Sequence, residues 1–293
     1  MNRLLTALFS ICAVAASAAP RLAVHPFVQA ELDKYPPLRL GGHRIVMIGG
    51  DRAAVIGIGR AKLVEGFSRA AAAAELDADA QIATALNAVA AECETRRNTD
   101  ETTASDGSVR MVKTTYRLVA LSIAARTPFV CSGGMWQRGD ALYCARILWC
   151  GESDTTPGDG EKWSDLPESL PYLGSGGTVA LRRGGALHLV TVVRVPEKLP
   201  PPQDLQAARM QAYRNLLYFV SGGRLKSRIA TLSETISTPD EFHRRRRKRK
   251  KLENAISGHC RFLEPLAKWR IVDTGCDFYL FVVNVDAAVA ARD

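Results

Sequence analysis

The 293-residue chain has no Cys-x-x-Cys pair, no Gly-x-Ser-x-Gly elbow and, beyond its first residues, no long apolar run. The first absence removes a thioredoxin-type redox site and a zinc knuckle. The second removes the serine nucleophile of the hydrolases, and the third a membrane-spanning helix, which needs about 20 apolar residues. The five histidines, His25, His43, His188, His243 and His259, are scattered without ligand spacing. No metal site is therefore indicated, and no pattern asks for a cofactor.

What the chain does have begins with its N-terminus. Arg3, the apolar run Leu4 to Ala16 and the small residues Ala16-Ser17-Ala18 form the three regions of a secretory signal peptide, residues 1–18. Cleavage is expected after Ala18, because a cut after Ala19 would leave Pro20 first. Ile11 stands where a lipoprotein would need a small residue before Cys12. The expectation is a soluble exported protein, periplasmic or secreted. Without Cys12, six cysteines are left: Cys93, Cys131, Cys144, Cys150, Cys260 and Cys276. An even count in an oxidising compartment predicts disulfides. Cys260 with Cys276 is the one pairing inside the second half, and three pairings are open in the first.

Hydrophobic and charged contents of 47% and 24% describe a globular chain, long enough for two cores. A glycine-punctuated hairpin occurs twice. Gly41-Gly42, six residues, Gly49-Gly50 and the apolar run Ala53 to Ile58 return as Gly176-Gly177, six residues, Gly184-Gly185 and Leu187 to Val193, 135 positions later. Ile123, Phe129, Val130 and Trp136 return as Ile256, Phe262, Leu263 and Trp269, 133 positions later. The chain is a tandem duplication.

After the first hairpin, Phe67, Ala71, Ala74, Ala78, Ile82, Leu86 and Val89 recur at helical spacing. After the second, Asp204 offers an N-cap to a helix with the stripe Leu205, Ala208, Ala212, Leu216 and Phe219. Strands are expected at Ala141 to Cys150, Ser227 to Ile236, Ile256 to Leu266 and Phe278 to Val283, and a strand or helix at Val112 to Ala124. The expected fold class is α/β of the α+β type, a tandem two-layer β-β-α-crossover-β-β domain. Residues 19–40 form an extended arm with at most one or two helical turns, 41–150 repeat domain 1, 151–175 a linker, and 176–293 repeat domain 2 with an inserted basic helix. Gly57-Ile58-Gly59 lacks the third glycine of a dinucleotide fingerprint and reads as close strand-to-helix packing.

Arg244, Arg245, Arg246, Arg247, Lys248, Arg249, Lys250 and Lys251 are consecutive. Without them and Arg3, 30 basic residues face 30 acidic ones, so the whole net charge sits in one segment. On a helix such a run surrounds the axis and no face can bury. It is either a solvated helix or a grip for an anionic polymer or surface, glycan or lipid headgroup, or for an envelope protein. Export argues against nucleic acid as the natural partner, although the same charge would hold it in vitro, and no aromatics interleave the run for base stacking.

Ile271-Val272-Asp273-Thr274-Gly275 resembles the catalytic signature of aspartic proteases, in which two carboxylates share one proton. That resemblance implies an alternative function, an aspartic-type endopeptidase, with Asp140 as the partner of Asp273 at offset 133. Copy one lacks the Thr-Gly that shapes the turn, and only 20 residues follow Asp273. The plain alternative is a β-turn. Arg138-Gly139-Asp140 also spells the integrin tripeptide, which any exposed turn can carry.

Val55-Ile56-Gly57-Ile58-Gly59, an alanine-rich helix, a polar crossover and a strand leading to Trp136 and Tyr143 resemble a family of small bacterial envelope lipoproteins. Their domain is shared with the N-terminal part of a flagellar assembly protein. The resemblance covers one copy at a time and implies a non-catalytic envelope or secreted module that binds protein or surface polymers.

Overall fold

The computed structural model describes residues 22–48, 53–98, 128–150, 162–197, 199–222, 225, 229–230, 239–259 and 263–290. The proposed signal segment, Val112 to Ala124 and nearly all of Ser227 to Ile236 lie outside them; Ile229 and Ala230 are helical.

The arm holds more helix than the one or two turns expected of it. Residues Pro26–Lys34 form α1, followed by a 3-10 helix, Pro36–Leu40. His25 starts α1, its Nδ1 accepting from the Phe27 amide at 3.0 Å, and Pro26 takes the first helical position, where a missing N–H is harmless. Glu31 is buried on the inner face between Lys34 and Arg44, each at 2.8 Å. Burial alone would raise its pKa, but the two cations outweigh it and hold the carboxyl below its ordinary value.

The first copy continues as β1 (Gly42–Met47), β2 (Ala53–Lys62), α2 (Phe67–Asn98), β3 (Pro128–Arg138) and β4 (Ala141–Cys150). The sheet is antiparallel in the order β1-β2-β4-β3. All seven expected stripe residues of α2 are buried. Alanine on the helix and glycine on the strand let the two layers nearly touch. A Cβ on Gly57 would come within 2.3 Å of the Ala78 carbonyl, and one on Gly59 within 2.0 Å of the Ala74 carbonyl. Trp136 lies inside β3 rather than at a connection, because a register shift between Ser132 and Met135 lets the strand run on through Gly133 and Gly134. At that bulge the arm joins the sheet edge: the His25 amide donates to the Gly133 carbonyl at 2.9 Å, and the Met135 amide to Ala23 at 3.0 Å.

Of the residues expected as a linker, those from 162 onward are described and form short helices. α3 (Leu166–Ser169) and a 3-10 helix, Pro171–Leu173, bury Leu166, Leu170, Tyr172 and Leu173. They repeat the first arm, since Pro36 and Leu38 correspond to Pro171 and Leu173 at the 135-residue offset of the glycine pairs. The arms also meet, the His25 ring lying 4.5 Å from that of Tyr172.

The second copy is β5 (Gly177–Arg183), β6 (Ala186–Pro196), α4 (Gln203–Ser221), α5 (Pro239–His259), β7 (Ala267–Ile271), β8 (Cys276–Asn284) and a short α6 (Val285–Ala290). Its sheet order, β5-β6-β8-β7, reproduces the first. Gly184 and Gly185, at φ 56° and 77°, make the two-residue turn between β5 and β6. The fold is thus a tandem duplication of an α+β unit.

Two expectations differ in this half. Helix α4 starts at Gln203, so Asp204 lies within its first turn and accepts from the Tyr279 hydroxyl at 2.6 Å. Ile256 to His259 belong to α5 rather than to a strand. Leu252, Ala255 and Ile256 stand three and four apart, and that helical spacing buries Ala255 and Ile256.

Both copies contribute to one continuous apolar core. Sheet edges β3 and β5 approach so closely that a Cβ on Gly177 would sit 2.4 Å from that of Ser132. Leu225 and Ile229, after α4, also pack with Ile82, Leu86 and Val89 of α2.

Candidate functional site

The C-terminal turns of helix α5 are seated on the core. Ala255 and Ile256 are buried, Leu252 packs against the core, and Ser257 lies 3.3 Å from the Tyr213 hydroxyl of α4. The turns before them carry the basic run, where Arg244, Arg246, Arg247, Lys250 and Lys251 are exposed. Arg245 and Lys248 belong to the same helix, but their side chains lie outside the described set. Arg249 is half-buried; burial pulls its pKa below the ordinary value, with Glu253 opposing. The structure therefore presents one end of a docked helix as a block of positive charge.

A second charged group lies at the junction of the copies. Arg194 of β6 has a side chain 7% exposed and reaches Glu75 of α2 at 2.8 Å, the Ser175 carbonyl at 3.2 Å and the Met135 sulfur at 3.5 Å. Arg146 of β4 faces Asp79 of α2 at 3.4 Å. Burial opposes charge on Arg146, and Asp79 with Glu75 more than offsets that, so its pKa rises. These two pairs line a cleft of about 530 Å³ between α2 and α4, walled by Leu76 on one side and by Met210, Arg214 and Tyr218 on the other. None of these groups was singled out from the sequence. The available signal was a lone arginine, Arg194, in the apolar run Leu189 to Val195, where a buried guanidinium needs a partner.

The two aspartates sit in corresponding hairpins of separate sheets. Asp140 is exposed in the β3–β4 turn, its carbonyl accepting from the Leu63 amide at 2.9 Å. Asp273 is exposed in the 3-10 turn Val272–Thr274 between β7 and β8. No hydrogen bond joins the two carboxylates, and sharing a proton requires direct contact. Thr274 donates to the Ile271 carbonyl at 2.7 Å, and Gly275 takes the left-handed φ of 59°. The Thr and Gly of the triplet thus close the hairpin, as ordinary turn chemistry does. Arg138-Gly139-Asp140 is an exposed tripeptide at the other hairpin.

The cysteines described with side chains, Cys131, Cys144 and Cys276, are free and buried. Cys276 donates to the Thr274 carbonyl at 3.4 Å, and the expected pairing with Cys260 falls on a residue outside the described set. Cys93, Cys150 and Cys260 lie outside the described side chains. Burial pushes the Cys131 thiol up to about 12 and raises Cys144 and Cys276 as well, which keeps all three protonated and poorly nucleophilic. Among the described residues no three His, Cys, Asp or Glu side chains are grouped to hold a metal. No described helix is long and apolar enough to cross a membrane.

No protein family model and no curated protein matches the chain. A solved structure of a hypothetical protein from Francisella tularensis is similar at 12% identity, with a TM-score of 0.38 over 87% of each chain.

Proposed function

We propose that this is an exported, non-catalytic binding protein that holds an anionic polymer or surface through the basic half of α5. The observation that carries the reading is the joint exposure of Arg244, Arg246, Arg247, Lys250 and Lys251 on a helix fixed to the core by Ala255 and Ile256. Seating Ala255 and Ile256 in the core leaves the basic turns facing solvent. Like charges placed side by side repel one another, and a polyanion relieves that repulsion on binding. The signal-like N-terminal segment supports export, and outside the cytoplasm acidic glycans and lipid headgroups are the polyanions at hand. The resemblance to envelope lipoproteins agrees with that compartment.

The test is affinity for a sulfated glycan, heparin, measured over a salt series. The expected result is binding that weakens steeply with salt and falls by more than about tenfold when the eight residues Arg244 to Lys251 become Ser and Gln. Salt-insensitive binding, or unchanged affinity in that variant, would reject the reading.

A further inference from the structure

We infer that the cleft between α2 and α4 is a separate binding site for a single-chain amphiphile with a monoanionic head. At about 530 Å³ it falls in the size range of small-ligand pockets, about 300 to 1,000 Å³. Its lining is about equally polar and apolar, with charged side chains at the junction and exposed apolar side chains on the two helices. Of the eight large apolar side chains exposed among the described residues, three face this one cleft: Leu76 from α2, 48% exposed, and Met210 and Tyr218 from α4, 67% and 50% exposed. Such convergence marks a contact surface, whereas apolar residues exposed singly need no explanation.

The charge around the cleft selects the head. Arg146, Arg194 and Arg214 line it against Glu75 and Asp79, one positive charge in excess. The two acids are already engaged by Arg146 and Arg194. Arg214 is exposed and has no ion-pair partner among the described residues. It stands one helical turn from both Met210 and Tyr218, so an anion on its guanidinium directs an attached chain between those side chains and Leu76. A bare anion would leave these side chains wet. An uncharged chain would leave Arg214 unpaired. The ligand that satisfies both walls has one negative head and one apolar tail. The site does not use the basic half of α5.

The test is calorimetric titration of the full chain with dodecanoate below its micelle concentration, alongside acetate and dodecanol. Dodecanoate is expected to bind one to one, at least about tenfold more tightly than either control, since each control lacks one half of the recognition. Leu76→Asp and Arg214→Gln, both at exposed positions, should each weaken it about tenfold while the thermal midpoint stays unchanged. The variant neutralised at Arg244 to Lys251 should bind dodecanoate as the parent does, even if it loses heparin. Equal binding of dodecanol and dodecanoate, no binding, or undiminished binding in both cleft variants would overturn the assignment. None of those results would touch the glycan reading, which stands or falls on heparin.

Discussion

Two strand positions separate the copies most sharply: Gly57 and Gly59 of β2 stand, by the pairing of each strand with its neighbours, where β6 has Thr191 and Val193. In copy one the missing side chain at Gly59 lets α2 lie directly on β2, and Gly57 does the same one pleat earlier. In copy two the corresponding residues, Thr191 and Val193, carry side chains, so α4 cannot lie on β6 as α2 lies on β2. Arg194, the counterpart of Arg60, lines the cleft between α2 and α4 and turns into the junction to hold Glu75 of the other copy. One fold used twice has thus been specialised, its helix seated on glycine in one half and on side chains in the other.

The hardest way to break this comparison is to remove the glycine. Gly59→Val is expected to destabilise by more than about 3 kcal/mol, because its Cβ meets helix backbone that cannot yield. Urea denaturation measures the loss, and a stable variant would mean that α2 does not need the close approach. Next in size is Arg194→Met, which leaves Glu75 facing the junction alone. Because the Glu75 side chain is 27% exposed, the loss should be about 2 to 3 kcal/mol, below that of a fully buried pair. Adding Glu75→Gln should restore part of it. A double variant as unstable as the sum of the singles would remove the pair as the link between copies.

The contact between the two arms gives a pH dependence. Burial lowers the His25 pKa to about 4 from an ordinary 6.5. The unfolded chain therefore binds the proton first. The stabilisation is complete above pH 6.5 and is lost progressively as the pH falls towards 4, with about 2 kcal/mol gone by pH 5. His25→Asn keeps a capping acceptor but cannot titrate, so its stability should be flatter between pH 7 and 5. An unchanged slope would assign the pH dependence elsewhere.

The smallest effect tests what the copies share. Trp136 stacks on Tyr143 at 5.4 Å and Trp269 on Phe278 at 6.0 Å, both as directly paired residues of the last hairpin. Double-mutant cycles should give coupling of about 0.5 to 1 kcal/mol for each pair, alike in the two halves. A large inequality would show that the halves have diverged here as well.

The duplication was legible because glycine pairs and stripe periodicity are local signals, and both sheets follow them. The offset that links the glycines also links Pro36 with Pro171 and Leu38 with Leu173. The same signal could therefore have shown that residues 162–175 are the second copy's arm and not a spacer. The end of α5 was misread as a strand because a short apolar run has no period of its own, and burial against the core decided it. Of the candidate sites, the basic run was visible because charge repulsion along a chain needs no tertiary knowledge. Asp273 looked catalytic because Asp-Thr-Gly serves turns and active sites alike.

By itself the sequence determined two copies of an α+β unit, the close seat of α2 and the segment that carries the net charge. Each follows from the spacing of residues within one element. Only the tertiary structure decided that Arg194 meets Glu75, 119 residues away, that the two arms touch, and that α2 and α4 leave a cleft between them. Those features depend on how closely two sheets and two helices approach, and that distance is set by the packing of side chains from both copies at once.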